Sequence, residues 1–210
     1  MTIPDLHRPF GRYFRRKRFQ RFWRSFQLTA ETRLLDLGGY EYYWSFFDSR
    51  PRVTIVNLEA PKERNRAFDW VVADARQLPF QDGAFDVVFS NSVIEHVGDQ
   101  ASRKAFAREA MRVGRHYYVQ TPYRWFPMEP HLMTPLIHYF PPSIQKRLLR
   151  NFTVWGLLVR PTQQGCDAFV DDVRLLDVRE LRQLFPQAAI WRERLLGITK
   201  SLIASSMPTE

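Results

Sequence analysis

The stretch DARQLPFQDGAFDVVFSNSVIEHV, residues 74–97, decides the fold. Its centre, Phe85 to Asn91, is an aromatic and β-branched run with little polar interruption, as expected of a strand covered on both faces in a parallel sheet. Pro79 and the Gln81-Asp82-Gly83 turn precede it, and polar residues end it abruptly. In open α/β sheets ligands bind beyond the carboxyl ends of such strands, so Ser90, Asn91, Glu95 and His96 fall where chemistry is usually done. Taken alone, the segment also fits a buried strand followed by an ordinary polar loop.

Upstream, TRLLDLGGYEYYW (32–44) reads as a strand, Arg33 to Leu37, running into a glycine turn and a short aromatic helix. A second strand, Val53 to Leu58, follows; an acidic group at this distance beyond a glycine turn can reach a ribose hydroxyl. Trp70 to Val72 is a third strand leading to Asp74. Downstream, Asp99 to Val113 has a helical pattern that Gly114 stops, and His116 to Pro122 is the fifth strand. Strands alternating with helices at this rhythm imply a doubly wound α/β domain spanning residues 1–210. Residues 172–186 read as an amphipathic helix with Asp177 as N-cap and Leu181 and Leu184 inward, and two strands, Ala188 to Arg192 and Leu196 to Ala204, close the chain antiparallel to each other.

Two segments depart from this rhythm. Residues 8–28 carry Arg8, Arg12, Arg15, Arg16, Lys17, Arg18, Arg21 and Arg24 with no acid, interleaved with Phe19, Phe22, Trp23 and Phe26 at helical spacing. This basic amphipathic helix either docks its aromatic face on the domain or presents Arg12–Arg24 to an anionic partner such as RNA or a membrane surface. The net charge of +9 is therefore a local feature. Between Pro122 and Pro142 lie six of the fourteen prolines, and we read residues 122–170 as a proline-rich cap or substrate insertion near the strand ends. Residues 151–170 support no definite assignment.

With one cysteine, Cys166, the chain has no internal disulfide, and the thiol reads as structural. No apolar run approaches the roughly 18 residues that span a bilayer, and the N-terminus lacks signal-peptide order, so a cytoplasmic protein is expected.

LLDLGG in a first strand and turn, with ADARQLPFQDGAFDVVFSNSVIEHV, resembles class I S-adenosylmethionine-dependent methyltransferases of the type 11 group. Thr121 to Pro135 and Glu193 to Ala204 are similar to a bacterial subgroup. The resemblance implies a Rossmann-like, seven-stranded sheet, parallel except for one antiparallel strand near the C-terminus, with S-adenosyl-L-methionine as methyl donor. By position it implies Asp36, Gly38 and Gly39 at the donor's amino-acid end. Asn57 or Glu59 would meet the ribose diol, Asp74 and Ala75 the adenine, and Ser90 and Asn91 the reactive methyl. Tyr40 stands where a further glycine is common, which makes the turn bulkier.

On the acceptor side His96 is the first candidate base, with His131 as its replacement, because histidine's ordinary pKa lies near neutrality. Glu129, His131 and His138 could bind acceptor hydroxyls, and Trp125 and Tyr139 an apolar acceptor surface. A metal held by Glu129, His131 and His138 lacks a compact ligand motif, and none is assigned. Members that methylate base amino groups or glutamine amides often carry Pro-Pro-aromatic after the fourth strand; here that position reads SNSVIEH. The expectation is therefore O-methylation of a small molecule: a sugar, glycolipid or secondary metabolite. RNA methylation and a non-catalytic binding role remain as alternatives.

Overall fold

A computed structural model describes residues 8–41, 44, 50–61, 63 and 65–208, with side chains from residue 16 onward. Tyr42 and Tyr43 of the expected aromatic helix, and the side chains of Arg8, Arg12 and Arg15, lie outside the described residues. So do residues 1–7 and the last two residues.

Helix α1 (Arg8–Phe26) precedes strands β1 (Arg33–Leu37), β2 (Arg52–Asn57), β3 (Asp69–Val72) and β4 (Phe85–Asn91). A short 3-10 turn, Ile94–His96, leads into α2 (Gln100–Val113) and β5 (Gly114–Pro122). Next come a two-residue-strand hairpin, β6 (Met128–Glu129) with β7 (Thr134–Pro135), then α3 (Pro142–Phe152), α4 (Val154–Val159) and α5 (Gln163–Asp172). The chain closes with α6 (Val178–Leu184), β8 (Ala189–Leu195) and β9 (Ile198–Ser205).

The seven-stranded sheet runs β3-β2-β1-β4-β5-β9-β8. All its pairings are parallel except those of β9, which is antiparallel to both neighbours. Strand order reverses between β1 and β4, and in such sheets the crevice outside the carboxyl ends at that switch point is the ligand site.

Alternation on the strands feeds two cores. Leu35, Leu37, Val88 and Val119 face Phe106 and Ala110 of α2 and Leu181 and Leu184 of α6. Leu34, Ile55, Phe89 and Tyr118 face the other way, onto Phe19 and Phe22 of α1. Phe22 is fully buried, its ring centroid 4.7 Å from Phe89 and 4.9 Å from Tyr118. The aromatic face of the basic helix therefore docks on the sheet, while Arg16, Lys17 and Arg24 remain at the surface.

The helix read within residues 172–186 is Val178–Leu184, with Asp177 as its N-cap in a capping box with Glu180 and Leu181 and Leu184 buried, as expected; the residues from 173 to 176 lie outside it. Residues before it are extended because the sheet end recruits them: Arg174 N–H donates to the Glu95 carbonyl (2.8 Å) and Arg124 N–H to the Leu176 carbonyl (2.9 Å). Residues 151–170, unassigned from sequence, hold α4 and much of α5, which pack Leu149, Cys166 and Val170 with Leu132 and Ile137 into a small core of their own. As read from the sequence, α2 ends at Val113 with Gly114 as its C-cap; the glycine's backbone is extended, and an added Cβ would lie 2.6 Å from Val88 Cγ2. Among the described residues, no helix is long and apolar enough to cross a membrane.

Candidate active site

The carboxyl ends of β1 and β4 meet at the glycine turn. Gly38 adopts φ +70, a conformation glycine enters without penalty, and a Cβ there would strike Val93 Cγ2 at 2.6 Å. The turn thus packs directly on the segment after β4. At Gly39 a Cβ would lie 1.8 Å from Asp36 Oδ2. That carboxylate cannot easily give way, since it is buried and accepts from Trp44 Nε1 at 2.7 Å. Gly39→Ala is expected to abolish donor binding, measured by calorimetry, and to lower the melting temperature.

Asp36 has a second, fully buried oxygen, Oδ1, with no partner within the protein. Burial pushes its pKa up to about 7, partly opposed by the Trp44 hydrogen bond. A buried acceptor left open beneath a side-chain-free turn fits a ligand that brings its own donor, such as an ammonium group. These residues fit S-adenosylmethionine, and Asp36, Gly38 and Gly39 would hold its amino-acid end.

The remaining donor candidates are less simply disposed. Asn57 Nδ2 donates to the Gly39 carbonyl (3.2 Å), steadying the turn, while Glu59 is exposed. The Asp74 carboxylate is taken up by Arg76, which donates from Nη2 at 2.6 Å, from Nε and from its backbone N–H. Arg76 thereby holds the Asp74 pKa below the usual carboxylate range. Ala75, next to it, is half-buried. Ser90 is fully buried and donates to the Leu37 carbonyl (3.3 Å), joining β4 to β1. Asn91 accepts from Arg18 of α1. Ser90 and Asn91 therefore brace the strand ends, with Asn91 half-buried.

Arg18 is the structure's departure from a solvent-facing arginine helix. Only 7% exposed, it forms an ion pair with Glu193 (2.5 Å) and donates to Gln120 Oε1 (2.8 Å) as well as Asn91. Arg21 lies over the Trp191 ring.

After β4, Glu95, His96 and His131 come together, with one donor atom of each within 4.8 Å of the others. His96 and His131 meet edge to face, ring centroids 5.1 Å apart. Each imidazole Nδ1 faces a carboxylate at 2.7 Å: Asp172 Oδ2 for His96 and Glu129 Oε1 for His131. Burial alone would lower the His131 pKa, but Glu129, Glu95 and Asp172 outweigh it and the net shift is upward. Glu95 is fully buried, accepts from Thr121 Oγ1 through Oε2 (3.0 Å), and leaves Oε1 without a partner. Burial raises its pKa, against the pull of the two histidines.

Glu129 is 2% exposed and accepts from His131 and the Leu132 N–H, which orients His131, while it lines a cavity shared with His138. His138 donates from Nε2 to the Arg124 carbonyl (3.0 Å), and burial lowers its pKa; it stands apart from the Glu95 cluster and joins Tyr139, centroids 4.2 Å apart. Trp125 and Tyr139 are exposed neighbours, 5.9 Å between centroids. Sequence reasoning put Glu95 at the strand end without giving it a role, and missed Thr121 and Asp172. The adjacent Glu95-His96 pair was the available signal; Asp172 was hidden inside an expected helix.

The sheet order, with β9 antiparallel, is that of the class I methyltransferase fold. Residues 36–116 match the family model described as a methyltransferase domain. That stretch is a methyltransferase domain of the class I S-adenosylmethionine-dependent type. Solved structures of similar fold include a Burkholderia thailandensis 1,6-didemethyltoxoflavin N1-methyltransferase bound to 1,6-didemethyltoxoflavin and S-adenosylhomocysteine. It shares 14% identity over 86% of this chain and 72% of that one, TM-score 0.53. A Pyrococcus horikoshii protein matches at 15% identity over 92% and 91%, TM-score 0.54. Haemonchus contortus phosphoethanolamine N-methyltransferase 2, bound to phosphomonomethylethanolamine and S-adenosylhomocysteine, matches at 15% over 84% and 38%, TM-score 0.53.

Proposed function

We propose that the protein transfers a methyl group from S-adenosylmethionine to an oxygen of a small molecule, with the acceptor held at the Glu95–His96–His131 cluster. The observation that carries this reading is the pair of histidines, each backed by a carboxylate, beside the free oxygen of buried Glu95. The donor, when bound, supplies an electrophilic methyl on a sulfonium centre. Asp36 and the glycine turn orient it; Asn57 and Glu59 are the ribose candidates, Asp74 and Ala75 the adenine candidates.

A hydroxyl nucleophile must lose its proton as the new bond forms. A carboxylate on Nδ1 keeps the proton there and leaves Nε2 as the lone-pair nitrogen, so His96 or His131 can accept the acceptor's proton. Residues 122–172 supply His131 and Asp172 and would act as the acceptor cap, with Trp125 and Tyr139 at its surface. Small-molecule acceptors in the Burkholderia and Haemonchus enzymes support that substrate class. Those acceptors are methylated on nitrogen, and the choice of oxygen here rests on the base-like histidines.

The test is a mass-shift screen of small-molecule extracts with isotope-labelled donor, the product's methylated atom being read by NMR. An O-methyl product is expected. His96→Ala and His131→Ala should each reduce turnover by about 10²-fold or more while leaving donor affinity nearly unchanged. An N-methyl product, or full turnover in both variants, would overturn the assignment.

A further inference from the structure

We propose that Glu95, His96 and His131 bind one divalent transition-metal ion, and that this ion holds the acceptor oxygen. The second part rests on the O-methylation reading; the first stands on the geometry alone.

The donor set is two imidazoles and one carboxylate, the composition that binds zinc-like ions while leaving a coordination position open. One donor atom from each residue lies within 4.8 Å of the others. Around a tetrahedral zinc ion ligand atoms sit about 3.3 Å apart, so small side-chain rotations close the set. The surroundings are already those of a metal site. Asp172 and Glu129 each take one imidazole Nδ1, which fixes the tautomer and turns the other nitrogen's lone pair outward. Thr121 holds Glu95 Oε2, and the Arg174 N–H holds the Glu95 carbonyl.

The independent observation is Glu95 Oε1, in a fully buried residue and without a hydrogen-bond partner. A buried carboxylate oxygen left bare is expensive, and a cation would satisfy it. Charge points the same way, since three carboxylates, those of Glu95, Glu129 and Asp172, converge on two imidazoles. A bound divalent ion would lower the proton affinity of a hydroxyl attached to it. The histidine lone pairs would then lie on the ion, which replaces them in activating the acceptor.

The experiment uses the full-length protein, stripped with a chelator and titrated with zinc by calorimetry and with cobalt by visible absorption. One equivalent should bind, with cobalt giving ligand-field bands of a nitrogen-oxygen site. Glu95→Gln, His96→Ala and His131→Ala should each weaken zinc by about tenfold or more, and Asp172→Asn by about tenfold through His96. Donor binding and melting curves on the same samples check the fold and the methyltransferase reading separately. Absence of one-equivalent binding in folded, donor-binding protein would overturn the proposal. So would zinc affinity indifferent to both histidine variants, which would mark an adventitious ion only.

Discussion

Arg18→Ala is expected to destabilise the protein by about 3–5 kcal/mol, measured by urea denaturation, because it strands a buried carboxylate. Glu193 is 14% exposed at its side chain, and Arg18 supplies its closest ion pair at 2.5 Å, with Lys200 Nζ farther away at 3.9 Å. Burial alone would raise the Glu193 pKa, but Arg18 leads the interactions that outweigh it, and the net shift is downward. A carboxylate with a depressed folded pKa contributes stability above its unfolded pKa and loses it as pH falls through the folded value. The native protein should therefore lose this contribution in acid, below the ordinary glutamate range. In Arg18→Ala the acid-side loss should shrink, since the largest interaction opposing burial is gone while Lys200 remains.

The same substitution frees Asn91 and Gln120, and through Gln120 the Ser92 hydroxyl that donates to it at 3.0 Å. Hydrogen exchange should accordingly accelerate in α1 and in the turn after β4 together. Replacing both partners with apolar groups, Arg18→Met with Glu193→Leu, should recover most of the lost stability, since the penalty lies in the unpaired charge. A loss below about 1 kcal/mol in Arg18→Ala would show that the pair behaves as an exposed one.

The sequence made β4 legible because its alternation serves two cores at once, and both faces are filled as expected. The strand–helix rhythm gave the doubly wound domain, and the tight joint between the last two strands gave their antiparallel pairing. Local pattern failed where tertiary contacts decide. Residues 173–176 have a helix-compatible composition, yet their backbone is drawn out to bond the ends of the sheet at Glu95 and Arg124. Arg18 was indistinguishable from its arginine neighbours, because its difference lies in Glu193, 175 residues away. At the site, Asp36 and the glycine turn were legible through the family resemblance, whereas the Glu95 cluster needs residues from the β4 end, the hairpin and α5. The first two carried candidates, His96 and His131, but nothing in the sequence joined them to each other or to Asp172 of α5.

Asp36→Asn should weaken S-adenosylmethionine binding by about 10- to 100-fold, the scale of one buried charge-assisted hydrogen bond. The variant should also flatten a pH dependence of stability. Asp36 has a folded pKa of about 7 against an ordinary value of 3.8, so between these limits the unfolded chain gives up a proton that the native state keeps. Stability from this group is therefore fully present below the lower limit and falls as pH rises to the upper one, by about 4 kcal/mol. Asparagine keeps an acceptor for Trp44 but does not ionise, so the melting-temperature difference between pH 5 and pH 8 should shrink in the variant. Donor binding gives a sharper signature. At pH 6 the free protein holds Asp36 largely protonated, and an ammonium placed against Oδ1 favours the ionised form. Binding should then release close to one proton, visible as a dependence of the calorimetric enthalpy on buffer ionisation, and Asp36→Asn should abolish that release. Unchanged proton release in the variant would place the donor's ammonium elsewhere and leave Asp36 with the turn alone.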